Sequence, residues 1–386
     1  MTERIQLNGD LNFVQALLGR GAADLKYCYQ CSTCTVVCPI APDRSPFPRK
    51  EMVYAQFGLK DRLVASLDSW LCLHCNDCST HCPRGASPGD VMNVLRSMSV
   101  EHFAVPGLLA RGARSLTGIL LLLLIPVAIL GATILVLNAA SGFAFLEGKI
   151  VYAKMLPVPV IDSIFIPAVT FAGVTLLLSL VRFLRAVAVE YPRTAGGATL
   201  PAALLGTLAD IFSHRRFRDC TTNRPRASAH VMAMYGFIGL FVTTTLVGIL
   251  YYLNRFGMDV QVTPYDFFHP VKVLGNVSGT LALLGCVLVA TRRMSGAAGT
   301  ATAFDWVFVW VLFLSVVTGF LAQVFRVFEL PLAAYPTYAV HLVFVFFLLA
   351  YAGYTKMGHI FFRTAAMVYA RWSGRDLDLS AVRSVA

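Results

Sequence analysis

Cysteines dominate the first quarter of the chain, and their spacing is regular. Eight of the ten cysteines fall in two runs, "CYQCSTCTVVCP" and "CLHCNDCSTHCP", and each run has the spacing C-x2-C-x2-C-x3-C followed by proline. The cysteines are Cys28, Cys31, Cys34 and Cys38 in the first run and Cys72, Cys75, Cys78 and Cys82 in the second. Thiolate sulfur is a ligand for soft metals, so this pattern indicates metal chemistry.

Each run has the ligand spacing of bacterial ferredoxins that carry cubane [4Fe-4S] clusters. Three cysteines two residues apart surround one corner of a cubane, whereas the fourth lies on the next helical turn and points to the other cluster. We therefore expect two clusters with crossed ligand sets. One set is Cys28, Cys31, Cys34 and Cys82, and the other is Cys72, Cys75, Cys78 and Cys38.

Two other uses of cysteine fit this pattern less well. Zinc sites usually receive cysteines in pairs with a long gap between them, whereas here four follow in close order. Disulfides form in oxidising compartments, and the segment Met1 to Lys26 has no apolar stretch that would predict export of this part. Cys286 lies in an apolar run and is expected to pack there, and Cys220 lies in a basic loop without an assigned role.

The composition of the chain indicates a membrane protein. Of the 386 residues, 57% are hydrophobic and 14% are charged, whereas soluble domains have about 45–50% and about 25%. Six apolar runs follow the linker "AVPGLLARGARS", and most have the roughly 20 residues that span a hydrocarbon core. We expect spans at Thr117–Leu137, Ile161–Leu184, Val231–Leu253, Val271–Val289, Phe304–Phe325 and Tyr338–Gly353, the last extending to about Phe362.

The predicted fold is all-α and has two domains. Residues 1–105 are expected to form a small helical two-cluster domain, with helices at Glu51–Phe57 and Asp61–Leu67. Residues 106–386 are expected to form a six-helix transmembrane bundle that holds the haems described below. The stretch Leu204–Phe212 has apolar residues on one helical face, and it is expected either to lie on the membrane surface or to dock a partner subunit.

Basic residues predict the orientation in the membrane. They are concentrated in the loops between the second and third spans and between the fourth and fifth: Arg182, Arg185, Arg193, Arg215, Arg216, Arg218, Arg224, Arg226, Arg292 and Arg293. The positive-inside rule places these loops in the cytoplasm, and an even number of spans places both termini on that side of the inner membrane. Topology thus explains the net charge of +11, and no nucleic-acid partner is expected.

Four histidines beside the predicted spans are candidate haem ligands, because histidine at a span is rare and usually functional. His341 and His359 are 18 residues apart, so on one continuous sixth helix they share a face and lie roughly 27 Å apart. His230 opens the third span level with His359 on the cytoplasmic side. His269 precedes the fourth span level with His341 on the periplasmic side. The sequence predicts two bis-histidine haems b, one ligated by each level pair.

A simpler interpretation is that these histidines only mark helix ends at the membrane interface. The shared face of the predicted sixth-helix pair, with one partner at each level, favours ligation. His269 is the weaker ligand because it lies outside a span, beside Pro270. His214 and His102 are alternative ligands on the cytoplasmic side only.

Two clusters and two haems form a path for single electrons. A haem near the outer leaflet needs a lipid-soluble partner, for which quinone is the usual candidate. The chain has no Rossmann fingerprint, Walker A motif or hydrolase constellation. We therefore expect electrons to pass between membrane quinone and a separate cytoplasmic enzyme.

The cysteine-rich part resembles HdrC, the iron–sulfur subunit of heterodisulfide reductases, through the two cysteine runs and the segment "DVMNVLRSM" after them. The apolar part resembles HdrE, the haem b subunit of those reductases, and the gamma subunit of respiratory nitrate reductase, through His341 and His359. The fusion of both parts resembles the QmoC family, the membrane subunits of quinone-interacting membrane-bound oxidoreductase complexes. The sequence departs from the nitrate reductase pattern, because the third span has His230 but Leu240 at the place of a second histidine.

This resemblance implies soluble flavin- and iron–sulfur-containing partners of the QmoA and QmoB type. It also implies menaquinone as the membrane substrate and electron exchange with adenylylsulfate reductase in dissimilatory sulfur metabolism. Two alternatives stay open. One is the membrane module of a heterodisulfide reductase or dissimilatory sulfite reductase-linked complex, and the other is a haem-bearing anchor without quinone turnover.

Overall fold

The fold is known from a computed structural model that describes residues 7–42, 45–218, 225–296, 299 and 301–375. Cys220 and Arg224 lie outside the described residues. Within the described ranges all regular elements are helices, which confirms the predicted all-α class.

The cysteine-bearing part consists of short helices. They are α1 (Leu11–Gly19), α2 (Thr33–Val36), α3 (Arg49–Gln56), α4 (Lys60–Val64), α5 (Leu67–Leu71), α6 (Asp77–Thr80) and α7 (Pro88–Phe103), with a 3₁₀ turn at Ala23–Tyr27. The predicted helix Glu51–Phe57 is observed as α3, which begins two residues earlier. The predicted helix Asp61–Leu67 is instead divided into α4 and α5, because the chain turns at Ala65.

Long helices make up most of the remaining part. The helices are α8 (Gly107–Gly112), α9 (Leu116–Asn138), α10 (Tyr152–Met155), α11 (Val158–Glu190), α12 (Leu200–Ser213), α13 (Pro225–Arg255), α14 (Pro270–Met294), α15 (Ala303–Val327), α16 (Pro331–Ala350) and α17 (His359–Ser373). Short 3₁₀ turns lie at Ala144–Leu146, Arg215–Arg218, Ala352–Tyr354 and Lys356–Gly358.

Six of the described helices are long and apolar enough to cross a membrane, namely α9, α11, α13, α14, α15 and α16. The shortest has 20 residues, which corresponds to about 30 Å of helix, the thickness of a hydrocarbon core. Leucines such as Leu120 and Leu121 are exposed on the outer face of α9, as expected for side chains that contact lipid. The predicted six-span bundle is confirmed.

The last span departs from the prediction. α16 begins at Pro331, seven residues before the predicted start, because the fixed φ of proline suits the first helical turn. It ends at Ala350, and Thr355 beyond it is extended, with φ −106° and ψ −179°. His341 therefore lies on α16, whereas His359 begins α17. The prediction that one continuous helix carries both histidines is wrong.

Close backbone contact holds α13 against α14. A Cβ atom on Gly236 would lie 2.3 Å from the amide nitrogen of Ala282, and one on Gly285 would lie 2.4 Å from that of Ala233. Small residues at such crossings let the backbones of membrane helices approach closely. This contact fixes the helix on which His230 lies.

The cysteine-bearing part and the membrane helices share one hydrophobic core. Trp70 of α5 stacks on Phe362 of α17 with 5.4 Å between ring centroids, and it meets Phe183 of α11 edge-on at 6.1 Å. Phe103, at the end of α7, also packs edge-on against Phe183, at 5.5 Å. All four side chains are buried. The cysteine-bearing part is therefore packed directly against α11 and α17.

A buried carboxylate adds polar contacts to this interface. Asp68 accepts hydrogen bonds from the ammonium group of Lys50 at 2.5 Å and from the guanidinium of Arg375 at 2.7 Å. Because a buried carboxylate is costly without cationic partners, these contacts connect α3 and α5 to the residue that follows α17.

The predicted amphipathic segment is observed as α12. Its packed side contains Ala203, Thr207 and Asp210, and Asp210 accepts hydrogen bonds from Arg216 at 2.8 Å and Arg371 at 2.6 Å. The exposed apolar side chains are Leu204, Leu205, Leu208 and Phe212. Both expected roles of this face, membrane surface and partner docking, remain open.

Replacing Trp70 by alanine is expected to loosen the contact between the cysteine-bearing part and the membrane helices, because truncating a buried aromatic costs about 3–5 kcal/mol. Limited proteolysis of the full-length protein should then cut between α7 and α9 faster than in the wild type. Trp310→Ala is the matched control, because the side chain of Trp310 is 48% exposed on α15. Equal cleavage rates for wild type and Trp70→Ala would contradict this role.

Candidate redox site

The eight motif cysteines line two separate cavities. The first cavity, with about 330 Å³ of empty space, is lined by Cys28, Cys31, Cys34 and Cys82. The second cavity, with about 340 Å³, is lined by Cys38, Cys72, Cys75 and Cys78. Each cavity thus receives three cysteines from one run and the fourth from the other. The structure brings together the two sets that crossed ligation requires, and all-thiolate donors suit [4Fe-4S] clusters.

The two cysteine runs share a backbone shape. Gln30 and Ser32 of the first run have φ of 59° and 70°, and His74 and Asn76 of the second have φ of 54° and 74°. Such left-handed residues are uncommon outside glycine. They turn the chain between successive cysteines, and the third cysteine of each run then lies on α2 or α6. This repeated turn is how three cysteines of one run reach the same cavity.

The two cavities differ in exposure. In the first cavity Cys31 is exposed, and Tyr29 and Val36 beside it are 70% and 82% exposed. In the second cavity Cys72 and Cys78 are buried. A cluster in the first cavity lies at the protein surface, whereas one in the second lies in the interior.

The cysteine environments favour metal binding. Burial raises the pKa of the Cys38 thiol to about 12, so that its proton is displaced by a positive metal centre. The backbone N–H of His74 donates to the sulfur of Cys72, and that of Ala86 donates to the sulfur of Cys82, both at 3.3 Å. Hydrogen bonds to cluster sulfurs tune reduction potential.

Next to the cysteine-bearing part, the rings of His230 and His359 lie 6.5 Å apart between centroids. The Nδ1 atom of His230 is 3.0 Å from Nε2 of His214, and Nδ1 of His359 contacts the carbonyl of Lys356. Burial lowers the pKa of His214, so its ring is neutral and shares a single proton with His230. These contacts engage Nδ1 in both rings and leave Nε2 as the nitrogen for a ligand.

The spacing of these two rings fits an iron atom between them. Two imidazole nitrogens at about 2.0 Å from a metal hold their ring centres roughly 6.3 Å apart, close to the observed separation of 6.5 Å. Ligating histidines in metalloproteins are commonly oriented by a partner on the other ring nitrogen. His230 and His359 therefore fit the bis-histidine haem predicted for them.

His341 lies at the middle of the bundle. Its Nδ1 is 2.8 Å from the carbonyl oxygen of Ser315, the central residue of α15. A Cβ atom on Gly319, one turn further along α15, would lie 3.1 Å from the same ring. His341 is thus packed against the middle of α15, away from the helix ends.

His269 lies at one end of the bundle, immediately before α14, and its ring stacks on Tyr265 at 4.2 Å. Ten residues further along α14, Gly279 faces Phe320 of α15, the neighbour of the residue that packs on His341. His269 is therefore roughly 15 Å along the helix axis from the level of His341. The predicted level pairing of these two histidines does not fit, because the last span begins earlier than expected.

Arginines that the sequence analysis used only for topology surround the loop of the second cavity. Arg226 of α13 donates to the carbonyl of Leu73 at 2.7 Å, and Arg363 of α17 donates to that of Cys72 at 3.4 Å. Arg96 of α7 also donates to the Cys72 carbonyl, at 2.6 Å. The available signal was that the arginines on α13 and α17 are each four residues from a predicted haem ligand.

Crossed ligation predicts which cysteine variants behave alike. Cys82→Ala should change the electron paramagnetic resonance signal of the same cluster as Cys31→Ala, and Cys38→Ala should match Cys75→Ala, because the fourth ligand comes from the other run. Cys286→Ala, in α14, is the control and should keep about eight iron atoms per chain. If Cys82→Ala instead matched Cys75→Ala, each run would hold its own cluster.

Comparison with known proteins relates this site to other iron–sulfur proteins. Residues 24–86 match the model of the 4Fe-4S dicluster domain. The chain is 33% identical over 117 residues to the HdrC-like heterodisulfide reductase protein of Archaeoglobus profundus, which covers 30% of this chain and 62% of that protein. It is also 33% identical over 95 residues to the HdrC subunit of the H(2):CoB-CoM heterodisulfide,ferredoxin reductase of Methanothermobacter marburgensis, covering 24% of this chain and 51% of that one.

A second kind of relative is an HdrE subunit. The chain is 27% identical over 140 residues to the HdrE subunit of the dihydromethanophenazine:CoB–CoM heterodisulfide reductase of Methanosarcina acetivorans, covering 34% of this chain and 53% of that protein. The chain thus spans between about half and 62% of the length of these relatives. No solved structure matches it. In one chain, a 4Fe-4S dicluster domain similar to HdrC is joined to a helical membrane part similar to HdrE.

Proposed function

We propose that this chain is the electron-transfer membrane subunit of an oxidoreductase complex. It links a menaquinone pool, through haem b and two [4Fe-4S] clusters, to soluble flavin- and iron–sulfur-containing partner subunits. The observation that carries the proposal is the position of the His230 and His359 rings, spaced for an iron atom, beside the loop that lines the second cysteine cavity.

In this proposal each residue of the pair has a defined task. His230 and His359 hold the haem through Nε2, and His214 orients the ring of His230 through their shared hydrogen bond. The haem, when bound, supplies one-electron chemistry. The cysteines of the two cavities hold the clusters, so that the redox groups follow one another from the membrane helices to the protein surface.

The exposed first cavity supports electron exchange with a soluble partner. Cys31, Tyr29 and Val36 are exposed at its rim, and Arg49 and Arg84 also line it. Arg84 lies over the ring of Tyr29, with 4.3 Å between the guanidinium carbon and the ring centroid. An aromatic and apolar rim with basic residues suits an interface with an acidic protein surface.

We infer a quinone-interacting membrane-bound oxidoreductase as the type of complex. The fusion of an HdrC-like part with a haem-bearing membrane part supports this, through the cysteine runs and the histidine pair. The partners are then QmoA- and QmoB-like subunits, with adenylylsulfate reductase as the soluble enzyme in dissimilatory sulfur metabolism.

The alternative is a membrane module of a heterodisulfide reductase or of a dissimilatory sulfite reductase-linked complex. The relatives favour it, because their names describe heterodisulfide reductase subunits. Purification of the full-length chain with its native partners separates the two. Co-purifying flavin subunits that exchange electrons with adenylylsulfate reductase support the first. A thiol–disulfide active site that reduces a heterodisulfide, or a co-purifying dissimilatory sulfite reductase, supports the second. Menaquinol that fails to reduce the haem absorbance would contradict quinone turnover.

We place the cysteine-bearing part, both termini and the arginine-rich loops in the cytoplasm. The positive-inside rule supports this sidedness. The packing supports it too, because the cysteine-bearing part contacts Tyr191 and Arg226, which belong to the arginine-rich loop region.

Removing one ligand of the proposed haem should remove that haem. We expect His359→Ala and His230→Ala each to lower the pyridine haemochrome signal of the full-length protein by the same amount, because both rings hold one iron atom. His214→Ala should keep the haem but shift its absorption bands, since only the orienting hydrogen bond is lost.

His102→Ala is the control, because the ring of His102 packs on Phe103 in the cysteine-bearing part. Unchanged haem content in both His230→Ala and His359→Ala would refute the pairing. For a second haem, His341 is the candidate ligand. His341→Ala is expected to lower the signal further, while His269→Ala leaves it unchanged because His269 lies at a different depth.

The proposed sidedness predicts labelling in intact cells. A cysteine introduced at Gly148, between α9 and α11, should react with a membrane-impermeant thiol reagent, because that loop is periplasmic. A cysteine introduced at Gly196, between α11 and α12, should react only after the cells are broken open. The reverse pattern would mean that the topology is inverted.

A further inference from the structure

The loop at the start of the second cysteine run is held by arginines from three helices. The Cys72 carbonyl accepts from Arg96 and Arg363, and the carbonyls of Leu73 and His74 both accept from Arg226. A guanidinium group offers several donors in a fixed planar fork, which suits the capture of neighbouring carbonyls. These contacts fix the backbone that carries two cysteines of the second cavity.

The arginines on α13 and α17 have a defined register with the proposed haem ligands. Arg226 lies four residues before His230, and Arg363 lies four residues after His359. Residues four apart on a helix lie on the same face, about 6 Å apart along the axis. Each proposed ligand helix therefore uses one face both for its histidine and for its contact with the cysteine loop.

The first cavity has different surroundings. Its lining comes from Cys28–Cys34, Arg49 and the segment between Cys82 and Pro88, all within the cysteine-bearing part. The second cavity is thus the one whose loop contacts α13 and α17.

Charge gives these arginines an electrostatic effect on the second cavity. Reduction of a cluster adds one negative charge, which nearby guanidinium groups stabilise. Arg226 and Arg363 therefore favour the reduced form of a cluster in the second cavity more than one in the first.

We propose that Arg226 and Arg363 are positioning residues that dock the second cavity on the two haem-ligand helices. The cluster of Cys38, Cys72, Cys75 and Cys78 is thereby the one that exchanges electrons directly with the haem of His230 and His359, and the cluster of the first cavity serves the soluble partner. This inference rests on the proposed function, because it requires that haem. One centre loses the electron that the other gains, the iron of the haem changing between ferrous and ferric, and no proton moves.

The test uses the full-length protein with Arg226→Met and with Arg363→Met. Iron, sulfide and haem contents are measured first, to show that all groups are retained. Amide hydrogen exchange in the peptide that contains residues 72–76 should then become roughly tenfold faster, because the loop has lost a charge-assisted hydrogen bond. In a potentiometric titration followed by electron paramagnetic resonance, the reduction potential of the second-cavity cluster should fall, while that of the first-cavity cluster stays at the wild-type value.

Two further variants separate positioning from general charge. Arg215→Met removes one positive charge from the same loop region, and the Arg215 side chain is 63% exposed and pairs with Asp210, so both readouts should stay at their wild-type values. Arg226→Lys keeps the charge but loses the planar fork, so exchange should rise while the potential changes less than in Arg226→Met. Arg226→Lys and Arg363→Met also carry the test if Arg226→Met fails to assemble.

Wild-type exchange and wild-type potentials in the assembled Arg226 and Arg363 variants would overturn the inference. A shift confined to the first-cavity cluster would overturn it as well. A wild-type protein that binds no haem at His230 and His359 would overturn the proposed function and the inference together. Retained haem with an unmoved second-cavity signal would overturn the inference alone.

Discussion

The carbonyl groups of Cys72, Leu73 and His74 accept hydrogen bonds from arginines, and the arrangement of the redox site depends on this contact. Buried carbonyl groups need donors, and here the donors come from α7, α13 and α17. A loop that lines a cysteine cavity is thereby joined to the helices of His230 and His359. The paired imidazoles and the cysteines of the second cavity are held in one fixed relation, which a hinged linker between two domains does not provide.

The hydrophobic core reinforces that relation. Trp70, Phe183 and Phe362 come from α5, α11 and α17, yet they pack as one buried group. Asp68 adds a charged contact through Lys50 and Arg375. Because burying aromatic surface is the larger stabilising effect and the buried ion pairs mainly avoid a desolvation penalty, the core sets the contact and the charges set its register. Fixed distances between redox groups are what single-electron transfer requires.

Local chemistry was determined by the sequence itself. The spacing of the cysteines, with the turns at Gln30, Ser32, His74 and Asn76, is a property of a few consecutive residues, so the two crossed ligand sets could be predicted without tertiary information. The six spans could also be predicted, because lipid requires backbone groups to be satisfied within long apolar helices. The pairing of His230 with His359 was within reach for a related reason, since both lie at helix ends that are visible in the sequence.

The tertiary structure alone decided how the later elements meet. An 18-residue spacing places two histidines on one face only if the helix is continuous, and the extended Thr355 shows that it is not. The depth of His341 is set by its contact with Ser315 on another helix, and an apolar run does not reveal where its ends lie because lipid-facing side chains are interchangeable. Arg226 could be read from the sequence as a topology signal, but its acceptor, the Leu73 carbonyl, is 153 residues away along the chain. Spacing rules describe neighbours along a helix, whereas a contact of that range exists only after the helices have packed.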